Sequence, residues 1–378
     1  MKIKAAVMRE LDGLLSIEEL DIAPPKENEV LIKTTASGIC HSDYSVLHGV
    51  LRSPLPVVLG HEGAGIVEAV GPGVTNVKPG DHVLVSLSPS CGKCAMCLEE
   101  REYLCMEMSK ASNRGTMMDG TTRLTAHSAT RHTAGTSSDE EEVRQLCGIA
   151  SFAEKMVVPA GCAIKIRDDA PLETCCLIGC GVTTGTGAAI NTADIHPGNS
   201  VAVIGCGGVG LSILQGARIK GAHPIIAVDP VAEKRALALS LGATHAIDPF
   251  NENLKERIKE ITGKGVHFSF EALGSMKTIN DAYSILRPTG EAIIVGVPNL
   301  KEKYELPVYN LFAEKELRGS VYGSSRPKRD LPMFVDWYMD GKLKLDELIT
   351  KRIRLEDVNQ ALEEMGRGEG ARSVIMFD

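Results

Sequence analysis

One short polar stretch of the chain carries four cysteines at a spacing that suits a metal ion. They follow the pattern C-x2-C-x2-C-x7-C and are Cys91, Cys94, Cys97 and Cys105. Four thiolates from one loop can complete a tetrahedral shell around zinc, and a filled shell leaves no position for a substrate. We therefore predict a zinc site that stabilises the chain without doing chemistry. Unrelated free thiols and an iron–sulfur cluster are the alternatives, although the usual cluster spacings differ.

Three further candidate ligands occur singly, each beside glycine or turn residues. They are Cys40 in GICHSD, His61 in GHEGAG and Cys180 in LIGCGVTTG. Two cysteines and one histidine form one of the known catalytic zinc sets, in which water or substrate takes the fourth position. Taken alone, each residue has a simpler interpretation as a buried cysteine or a core histidine. The nucleotide motif downstream favours one shared catalytic metal site.

A glycine-rich loop lies between a predicted strand and a predicted helix in VAVIGCGGVGLSILQG. Its G-x-G-x-x-G glycines are Gly205, Gly207 and Gly210, and Gly208 and Val209 lie between them. Glycine lets the backbone approach a pyrophosphate, and the N-terminus of the following helix supplies free N–H groups. The loop therefore predicts a dinucleotide site.

An acidic residue follows this loop at the end of the next apolar run, PIIAVD. It is Asp229, about 20 residues after the last glycine of the motif, which is the spacing expected for a carboxylate that binds the adenosine ribose hydroxyls. A carboxylate there repels a 2′-phosphate, so the sequence predicts NAD in preference to NADP.

Two domains are expected to position these residues, because 378 residues exceed what one small core needs. From Lys2 to about Val85, short β-branched runs alternate with turn signals, which predicts irregular, mostly antiparallel β structure. From about Gly181, strands alternate with helix-length segments, which predicts a parallel, doubly wound sheet. After about Tyr322 the pattern is mixed again, and we expect the chain to return to the first domain.

Composition excludes several classes of partner. The formal charge is −8 without a basic block, so we expect no nucleic-acid binding. Neither a signal peptide nor a run of about 18 apolar residues occurs, so we expect a cytoplasmic protein that does not insert into membranes. The odd number of cysteines, 11, favours metal ligands and buried thiols over disulfides.

The order of these motifs resembles that of the zinc-dependent medium-chain alcohol dehydrogenases. The similarity includes GHEGAGIVEAVGPGVTNVKPGDHV, GTMMDGTTRLT, VIGCGGVGLS and FEALG, and it extends from about residue 4 to the C-terminus. The resemblance implies a GroES-like, mostly-β catalytic domain over 1–181 and 322–378. It also implies a Rossmann domain with a doubly wound parallel sheet over 182–321, and an active zinc in the cleft between the domains.

The resemblance also implies two zinc ions per chain. Matched position by position, Cys40, His61 and Cys180 correspond to the catalytic ligands of the family, whereas the neighbouring Cys175 and Cys176 do not. The four clustered cysteines correspond to its structural zinc site. The implied reaction is hydride transfer between an alcohol or aldehyde substrate and NAD.

Residues around the catalytic metal match the family as well. Asp43 resembles the carboxylate that accepts a hydrogen bond from the zinc histidine, and Glu62 resembles the glutamate behind the metal. Ser42 resembles the hydroxyl that contacts the substrate oxygen and begins a proton relay. This relay often ends at a histidine where the chain has Ser45, which cannot act as a base near neutral pH. His48 is the nearby alternative.

Four more residues resemble cofactor contacts of the family. Lys234 corresponds to a residue near the adenosine ribose, Arg372 to a pyrophosphate-binding arginine and Thr184 to a neighbour of the nicotinamide. His41 stands where many relatives carry an arginine directed at the pyrophosphate, and the charge of a histidine there depends on pH.

Pocket positions of the family indicate the substrate class. Leu51 and Leu87 occupy them, which favours hydrophobic primary alcohols and their aldehydes. The branch that oxidises S-(hydroxymethyl)glutathione uses acidic residues around Leu51 and an arginine near Ser109, and those charges are absent, so this activity is the second alternative. A dismutase-type enzyme with permanently held NAD and a non-catalytic nucleotide-binding relative are the others.

Two segments bear on assembly and access. Because it retains the segment GTMMDGTTRLT, the chain resembles dimeric relatives more than tetrameric ones. We therefore expect a homo-oligomer and favour a dimer. Residues Asp139 to Ile149, DEEEVRQLCGI, look like an insertion relative to the family. Their acidic run has two interpretations, a solvated face or a lid over the substrate channel.

Overall fold

The computed structural model describes residues 1–88, 90–127, 140–299, 301–306 and 308–378. In chain order its strands are β1 (Lys2–Met8), β2 (Ser16–Ile22), β3 (Glu29–Gly38), β4 (Val57–Val58), β5 (Glu62–Val70), β6 (His82–Val85), β7 (Leu124–His127), β8 (Glu140–Gln145), β9 (Lys155–Pro159), β10 (Ala163–Lys165), β11 (Val201–Ile204), β12 (Ile225–Val228), β13 (His245–Ile247), β14 (Val266–Glu271), β15 (Leu286–Ile294), β16 (Glu316–Gly319), β17 (Ile349–Ile353) and β18 (Arg372–Met376). Its α-helices are α1 (His41–Leu47), α2 (Ala95–Leu98), α3 (Met106–Arg114), α4 (Leu172–Cys175), α5 (Gly181–Gly187), α6 (Gly208–Ile219), α7 (Ala232–Ser240), α8 (Leu254–Thr262), α9 (Met276–Ser284), α10 (Pro327–Met339) and α11 (Val358–Gly366).

The chain divides into two compact units. The first contains Met1–Cys180, Arg326–Met339 and Leu345–Asp378, and the second contains Gly181–Ser325 and Asp340–Lys344. The chain therefore leaves the first unit and returns to it. The expected boundaries placed Gly181 and residues 322–325 and 340–344 in the first domain, whereas the structure places all of them in the second unit.

The first unit consists mainly of antiparallel β structure. Strands β1, β2, β7, β8 and β4 form a closed barrel, and a second sheet has the order β10-β6-β5-β3-β18-β17, with β9 also paired to β3. Most of these pairs are antiparallel, and β4–β8 and β17–β18 are parallel. Inside the barrel, Phe152 and residues of β1 form a buried apolar core. The prediction of mostly antiparallel structure near the N-terminus is confirmed.

The second unit contains one six-stranded parallel sheet with the order β13-β12-β11-β14-β15-β16. Strands β11 and β12 are short runs of apolar residues, VAVI and IIAV, and all eight of these residues are buried. Such continuous apolar runs are typical of parallel strands covered on both faces. The strand order reverses direction at β11, and the carboxyl end of a sheet at such a point is where ligands bind in this class of fold.

The segment interpreted as an insertion is an integral part of the barrel. Residues 140–145 form β8, which pairs with β7 on one side and β4 on the other, while Asp139 lies outside the described residues. Glu140 and Glu142 are exposed, in agreement with a solvated face. The lid interpretation is wrong for residues 140–145, because Val143 and Gln145 are buried and both neighbouring strands hold this segment in place.

A buried ion pair connects the barrel to the second sheet. Arg123, just before β7, has a side chain only 1 % exposed, and its Nε donates to Glu29 at the start of β3 at 2.8 Å. Nη2 donates to Asp119 at 2.9 Å, and the backbone N–H of Arg123 donates to Gln145 at 2.8 Å. These bonds satisfy polar groups that would otherwise be costly to bury.

Candidate metal centres and dinucleotide site

Four potential ligands converge in the first unit from separate parts of the chain. Cys40 lies just before α1, His61 and Glu62 lie at the start of β5, and Cys180 is the last residue of that segment of the unit. All four are buried, and one ligand atom from each lies within 4.8 Å of the others. The three ligands expected from the sequence are therefore close together, with one carboxylate beside them.

One ring nitrogen of His61 indicates that this set suits a metal ion. Asp43, fully buried, has Oδ1 at 3.0 Å from His61 Nδ1, so Nδ1 carries the proton and donates. Nε2 is also buried and has no hydrogen-bond partner in the described part of the chain. A lone pair on Nε2 beside two cysteine sulfurs matches the donor set that zinc prefers, with a carboxylate holding the histidine.

The two thiols of this set differ in acidity. The pKa of Cys40 lies well below its ordinary value, because a hydrogen bond with Cys180 favours the thiolate and outweighs burial, and His61 lowers it further. The pKa of Cys180 is raised by the same hydrogen bond and by burial. A buried anion at Cys40 is therefore already favoured where a cation would bind.

The carboxylate behind the set forms an ion pair with an arginine from the last strand. Arg372, at the start of β18, donates through Nη2 to Oε2 of Glu62, and both side chains are buried. The Nε of Arg372 is buried without a hydrogen-bond partner among the described residues. The expected contact of Arg372 with a pyrophosphate stays a prediction, and the structure adds its pairing with Glu62.

The expected proton-relay residues lie on and around α1. The Ser42 hydroxyl is 3.8 Å from the Cys40 sulfur, which places it beside the metal set. His48, at the end of the helix, has Nδ1 at 2.5 Å from Asp12 Oδ1, and its ring centroid lies 4.2 Å from that of Tyr44. The His48 side chain is 35 % exposed, so it can exchange protons with solvent.

The four clustered cysteines have the geometry of a tetrahedral thiolate site. Their sulfurs are separated by 3.5 Å for Cys94–Cys97 and by 3.9 Å for both Cys91–Cys97 and Cys94–Cys105. A zinc–sulfur bond of about 2.3 Å in a tetrahedron separates the sulfurs by about 3.8 Å. These separations fit zinc and are far too long for disulfide bonds. The backbone N–H of Cys94 donates to the Cys91 sulfur at 3.4 Å, which favours a thiolate.

One neighbour of the first metal set gave no signal in the sequence. Cys147 lies in the turn Leu146–Gly148 directly after β8 and has a φ of +56°. Burial raises the pKa of its thiol, and the charges of His61, Asp43 and Cys40 also act on it, which places Cys147 close to the metal set. No spacing rule connects this residue to the ligands, so only the fold brings it there.

The glycine-rich loop connects β11 to α6 as expected, with Gly207 as the N-cap. Gly205 has a φ of +93°, which side chains other than hydrogen rarely allow. A Cβ at Gly210 would lie 1.8 Å from the Gly205 carbonyl oxygen, so the helix packs against the loop only with glycine there. A Cβ at Gly207 would meet nothing within 4 Å, which leaves space for a phosphate beside the first N–H groups of α6.

Asp229 directly follows β12, beside this loop. Its carboxylate accepts hydrogen bonds from the backbone N–H groups of Cys206 and Val231, both at 2.8 Å. Arg235 in α7 donates to the Asp229 carbonyl at 2.7 Å and pairs with Asp248, and sequence reasoning had missed its part in this turn. The carboxylate retains lone pairs for ribose hydroxyls.

Two other expected cofactor residues lie in the same unit. Lys234 lies in α7, and its charge acts on the thiol of Cys206 in the glycine-rich loop. Thr184 lies in α5 and is partly buried. His41 is the first residue of α1, in the first unit, and its ring centroid lies 5.3 Å from that of Tyr44.

Comparison with known proteins agrees with both halves of this description. Residues 26–168 match the family described as the alcohol dehydrogenase GroES-like domain, and residues 208–339 match the zinc-binding dehydrogenase family. The chain is 38% identical to an S-(hydroxymethyl)glutathione dehydrogenase of Paracoccus denitrificans, with 100% of each chain covered.

Solved structures show the same similarity over the whole chain. Benzyl alcohol dehydrogenase of Acinetobacter calcoaceticus has a TM-score of 0.92 and 34% identity, with 100% of both chains covered. A zinc-binding dehydrogenase of Sinorhizobium meliloti, bound to NADP, has a TM-score of 0.80 and 26% identity, with the same coverage. The chain belongs to the zinc-dependent medium-chain alcohol dehydrogenase family, with a GroES-like domain and a Rossmann-type domain. Among the described residues, no helix has the length and apolar character to span a membrane.

Proposed function

We propose that this enzyme is an NAD-dependent zinc alcohol dehydrogenase that interconverts hydrophobic primary alcohols and aldehydes. The observation that supports this most directly is the buried set of Cys40, His61 and Cys180, with the unpartnered Nε2 of His61 next to two sulfurs. The same chain carries a glycine-rich loop that suits a dinucleotide. The second metal, at the four clustered cysteines, has a structural role in this proposal.

The residues around the set prepare it for alcohol chemistry. Cys40, His61 and Cys180 would hold a zinc ion that would lower the pKa of a coordinated hydroxyl group, and the dinucleotide site would hold NAD as the hydride acceptor. Asp43 keeps His61 in the tautomer that leaves Nε2 free to bind the metal. The Ser42 hydroxyl, beside the set, receives the alcohol proton and passes it away from the metal.

The path of that proton beyond Ser42 differs from the relay common in the family. Ser45 cannot act as a base near neutral pH, so the final acceptor is another group or solvent. His48 stays the predicted acceptor, supported by its exposure to solvent and by the carboxylate of Asp12 beside it.

The choice of NAD over NADP depends on Asp229. Its carboxylate follows β12, where it is only 5 % exposed and is held by two backbone N–H groups. A 2′-phosphate close to this carboxylate would be repelled, whereas ribose hydroxyls can donate to it. One of the similar structures has NADP bound, so the two cofactors must be compared directly.

Two substrate classes are candidates for this enzyme. Leu51 and Leu87 are partly buried apolar residues at expected pocket positions, which supports hydrophobic alcohols. The benzyl alcohol dehydrogenase among the similar structures supports aromatic alcohols in particular. S-(hydroxymethyl)glutathione is the second candidate, because a relative that is 38% identical over its full length is named for it.

Initial rates and zinc content test this proposal together. Rates with NAD and NADP are compared for benzyl alcohol, short and long aliphatic primary alcohols, and formaldehyde plus glutathione. We expect zinc at two per chain by elemental analysis, the highest kcat/KM with a hydrophobic alcohol, and NAD preferred over NADP. The variant Cys180→Ser should lose one zinc and lower kcat by roughly 1,000-fold, since the metal supplies several kcal/mol of stabilisation.

Cys175→Ala is the matched control for that variant. It removes a nearby buried thiol outside the metal set, so zinc content and rate should be preserved. A wild-type enzyme that holds zinc only at the four clustered cysteines, or that reduces neither nicotinamide cofactor with any alcohol, contradicts the proposal. Preference for formaldehyde plus glutathione would establish the second candidate instead.

We also propose that the enzyme is a cytoplasmic homodimer. None of the eleven cysteines, all of which lie in the described residues, forms a disulfide, which supports a reducing compartment. In the second unit, β16 pairs with β15 on one side only within the described residues, and all four of its residues are exposed. Tyr309 and Phe312 in the preceding segment are 83% and 81% exposed. A second copy would cover both the strand edge and these apolar side chains.

A further inference from the structure

A buried carboxylate stands at the end of β14 without a basic partner. Glu271, in the FEALG motif, is fully buried, and no ion pair to it occurs in the part of the chain that the structure describes. In register it lies between Ile204 of β11 and Ile294 of β15. It therefore occupies the carboxyl edge of the parallel sheet, where the glycine-rich loop begins.

The turn that follows Glu271 is built around this carboxylate. Oε1 accepts hydrogen bonds from the backbone N–H groups of Leu273 at 3.0 Å and Gly274 at 2.8 Å, and from the Thr278 hydroxyl at 2.7 Å. Oε2 accepts from the Gly274 N–H at 3.0 Å. Four hydrogen bonds to one buried side chain therefore hold this turn in one conformation.

That turn packs directly against the glycine-rich loop. Ala272 donates to the Ile204 carbonyl at 2.9 Å, and a Cβ added to Gly205 would lie 2.7 Å from Cγ of Leu273. On its other side, a Cβ on Gly296 would lie 2.2 Å from the Gly274 nitrogen. The turn therefore packs closely against both Gly205 and Gly296. Leu273 is nevertheless 56% exposed, so its side chain is accessible to a ligand beside the loop.

We propose that Glu271 is a positioning residue for the dinucleotide. Its carboxylate fixes the turn so that Leu273 supports Gly205 and forms an apolar wall next to the cofactor. This inference rests on the proposed dinucleotide site. Glu271 acts through the turn and does not itself contact the cofactor.

Binding of NADH by Glu271→Gln and Leu273→Ala tests the inference. The amide nitrogen of glutamine cannot accept the Gly274 N–H, so the turn loosens, and we expect the Kd for NADH to rise roughly tenfold. Leu273→Ala should raise the Kd by a similar factor because it removes the wall and leaves the turn intact. The KM for NAD should rise in both variants, while the KM for alcohol and the zinc content stay at the wild-type values.

Glu291→Gln is the matched control, because Glu291 lies on neighbouring β15 away from the loop. Its NADH affinity should equal that of the wild type. A folded Glu271→Gln with wild-type NADH affinity overturns the inference, as does a Leu273→Ala with unchanged affinity if Glu271→Gln does not fold. A wild-type enzyme that binds neither NADH nor NADPH contradicts the proposed function itself, which is a different result.

Discussion

A single carboxylate, Asp43, joins three parts of the metal site. It accepts the N–H groups of Cys40 and Gly60, each at 3.0 Å, and it holds the ring of His61. The first of these bonds also belongs to the cap at the start of α1, so the helix begins where a ligand is required. The orientation of two ligands thus depends on one fully buried side chain.

A partly buried hydrogen bond of His267 predicts a pH dependence of stability. His267 Nδ1 accepts the backbone N–H of Ser200 at 3.0 Å, which requires an unprotonated nitrogen. Burial and the charge of Arg287 lower the pKa of His267 below its ordinary value of 6.5. As the pH falls below 6.5, the unfolded chain binds a proton that the folded chain resists, so stability decreases. We expect His267→Asn to have a smaller decrease in Tm between about pH 7 and pH 5.

The asparagine variant removes the titrating imidazole of His267 but keeps an acceptor for the hydrogen bond. Its side-chain oxygen can accept the Ser200 N–H but does not titrate in this range. His196→Asn is the control, because that side chain is 69% exposed and its removal should leave the slope of Tm against pH unchanged. Equal slopes for the wild type and His267→Asn would refute the prediction.

At the scale of elements, the ion pair of Arg123 and Glu29 connects the start of barrel strand β7 to the start of β3 in the second sheet. Both side chains are buried, so removing one charge leaves the other uncompensated. We expect Arg123→Met to lower the free energy of unfolding by about 3–5 kcal/mol, measured by urea denaturation with zinc held constant.

A double variant separates the lost charge pair from lost packing. Arg123→Met combined with Glu29→Gln removes both charges, and we expect it to recover more than half of the loss because no unpaired ion stays buried. Packing, and not charge, would be the dominant contribution if the double variant is no more stable than Arg123→Met alone.

The element scale also shows what sequence patterns could and could not predict. The parallel strands β11 and β12 were predicted because they are uninterrupted apolar runs next to glycine and helix signals. Strand β8 was missed because one of its two buried positions holds a polar residue, Gln145, and the acidic residues obscure the alternation. The buried Gln145 amide donates to the Val157 carbonyl and accepts from the Arg123 N–H. Both partners are distant in sequence, so the local pattern did not indicate that Gln145 is buried.

The same limit applies to the sites. The clustered metal site was predicted from spacing alone, since all four of its cysteines lie in one stretch of the chain. Spacing alone could not group Cys40, His61 and Cys180, because only the fold brings them together; the residue types with the downstream nucleotide motif, and then the family resemblance, indicated one site. The contact of Arg372 with Glu62 and the closeness of Cys147 to the set depend on strand pairing across long separations, which neither composition nor periodicity encodes.

At the scale of the whole molecule, the edge of β16 predicts how two copies would associate. In an antiparallel pair centred on Leu317, Glu316 of one copy lies opposite Arg318 of the other, and the reverse holds by symmetry. Arg318→Glu places like charges opposite each other twice, so we expect the dimer Kd to rise roughly tenfold, measured by sedimentation velocity.

The charge swap Glu316→Arg with Arg318→Glu is the decisive comparison. It restores both opposite-charge pairs across the symmetry axis, so dimerisation should recover. It does not restore the bond from Arg318 to the Thr192 carbonyl, at 3.1 Å. A dimer that is insensitive to both variants would place the interface elsewhere.

The two metal sites differ in how much of the chain must exist before each can form. All ligands of the clustered site lie within residues 91–105, whereas Cys40 and Cys180 enclose a loop about ten times longer. Closing the longer loop costs about 2 kcal/mol more in chain entropy. During synthesis, the clustered cysteines can therefore capture zinc as soon as they leave the ribosome. The other site cannot form until Cys180 has been synthesised, 75 residues after Cys105, so we expect the two metals to bind in that order.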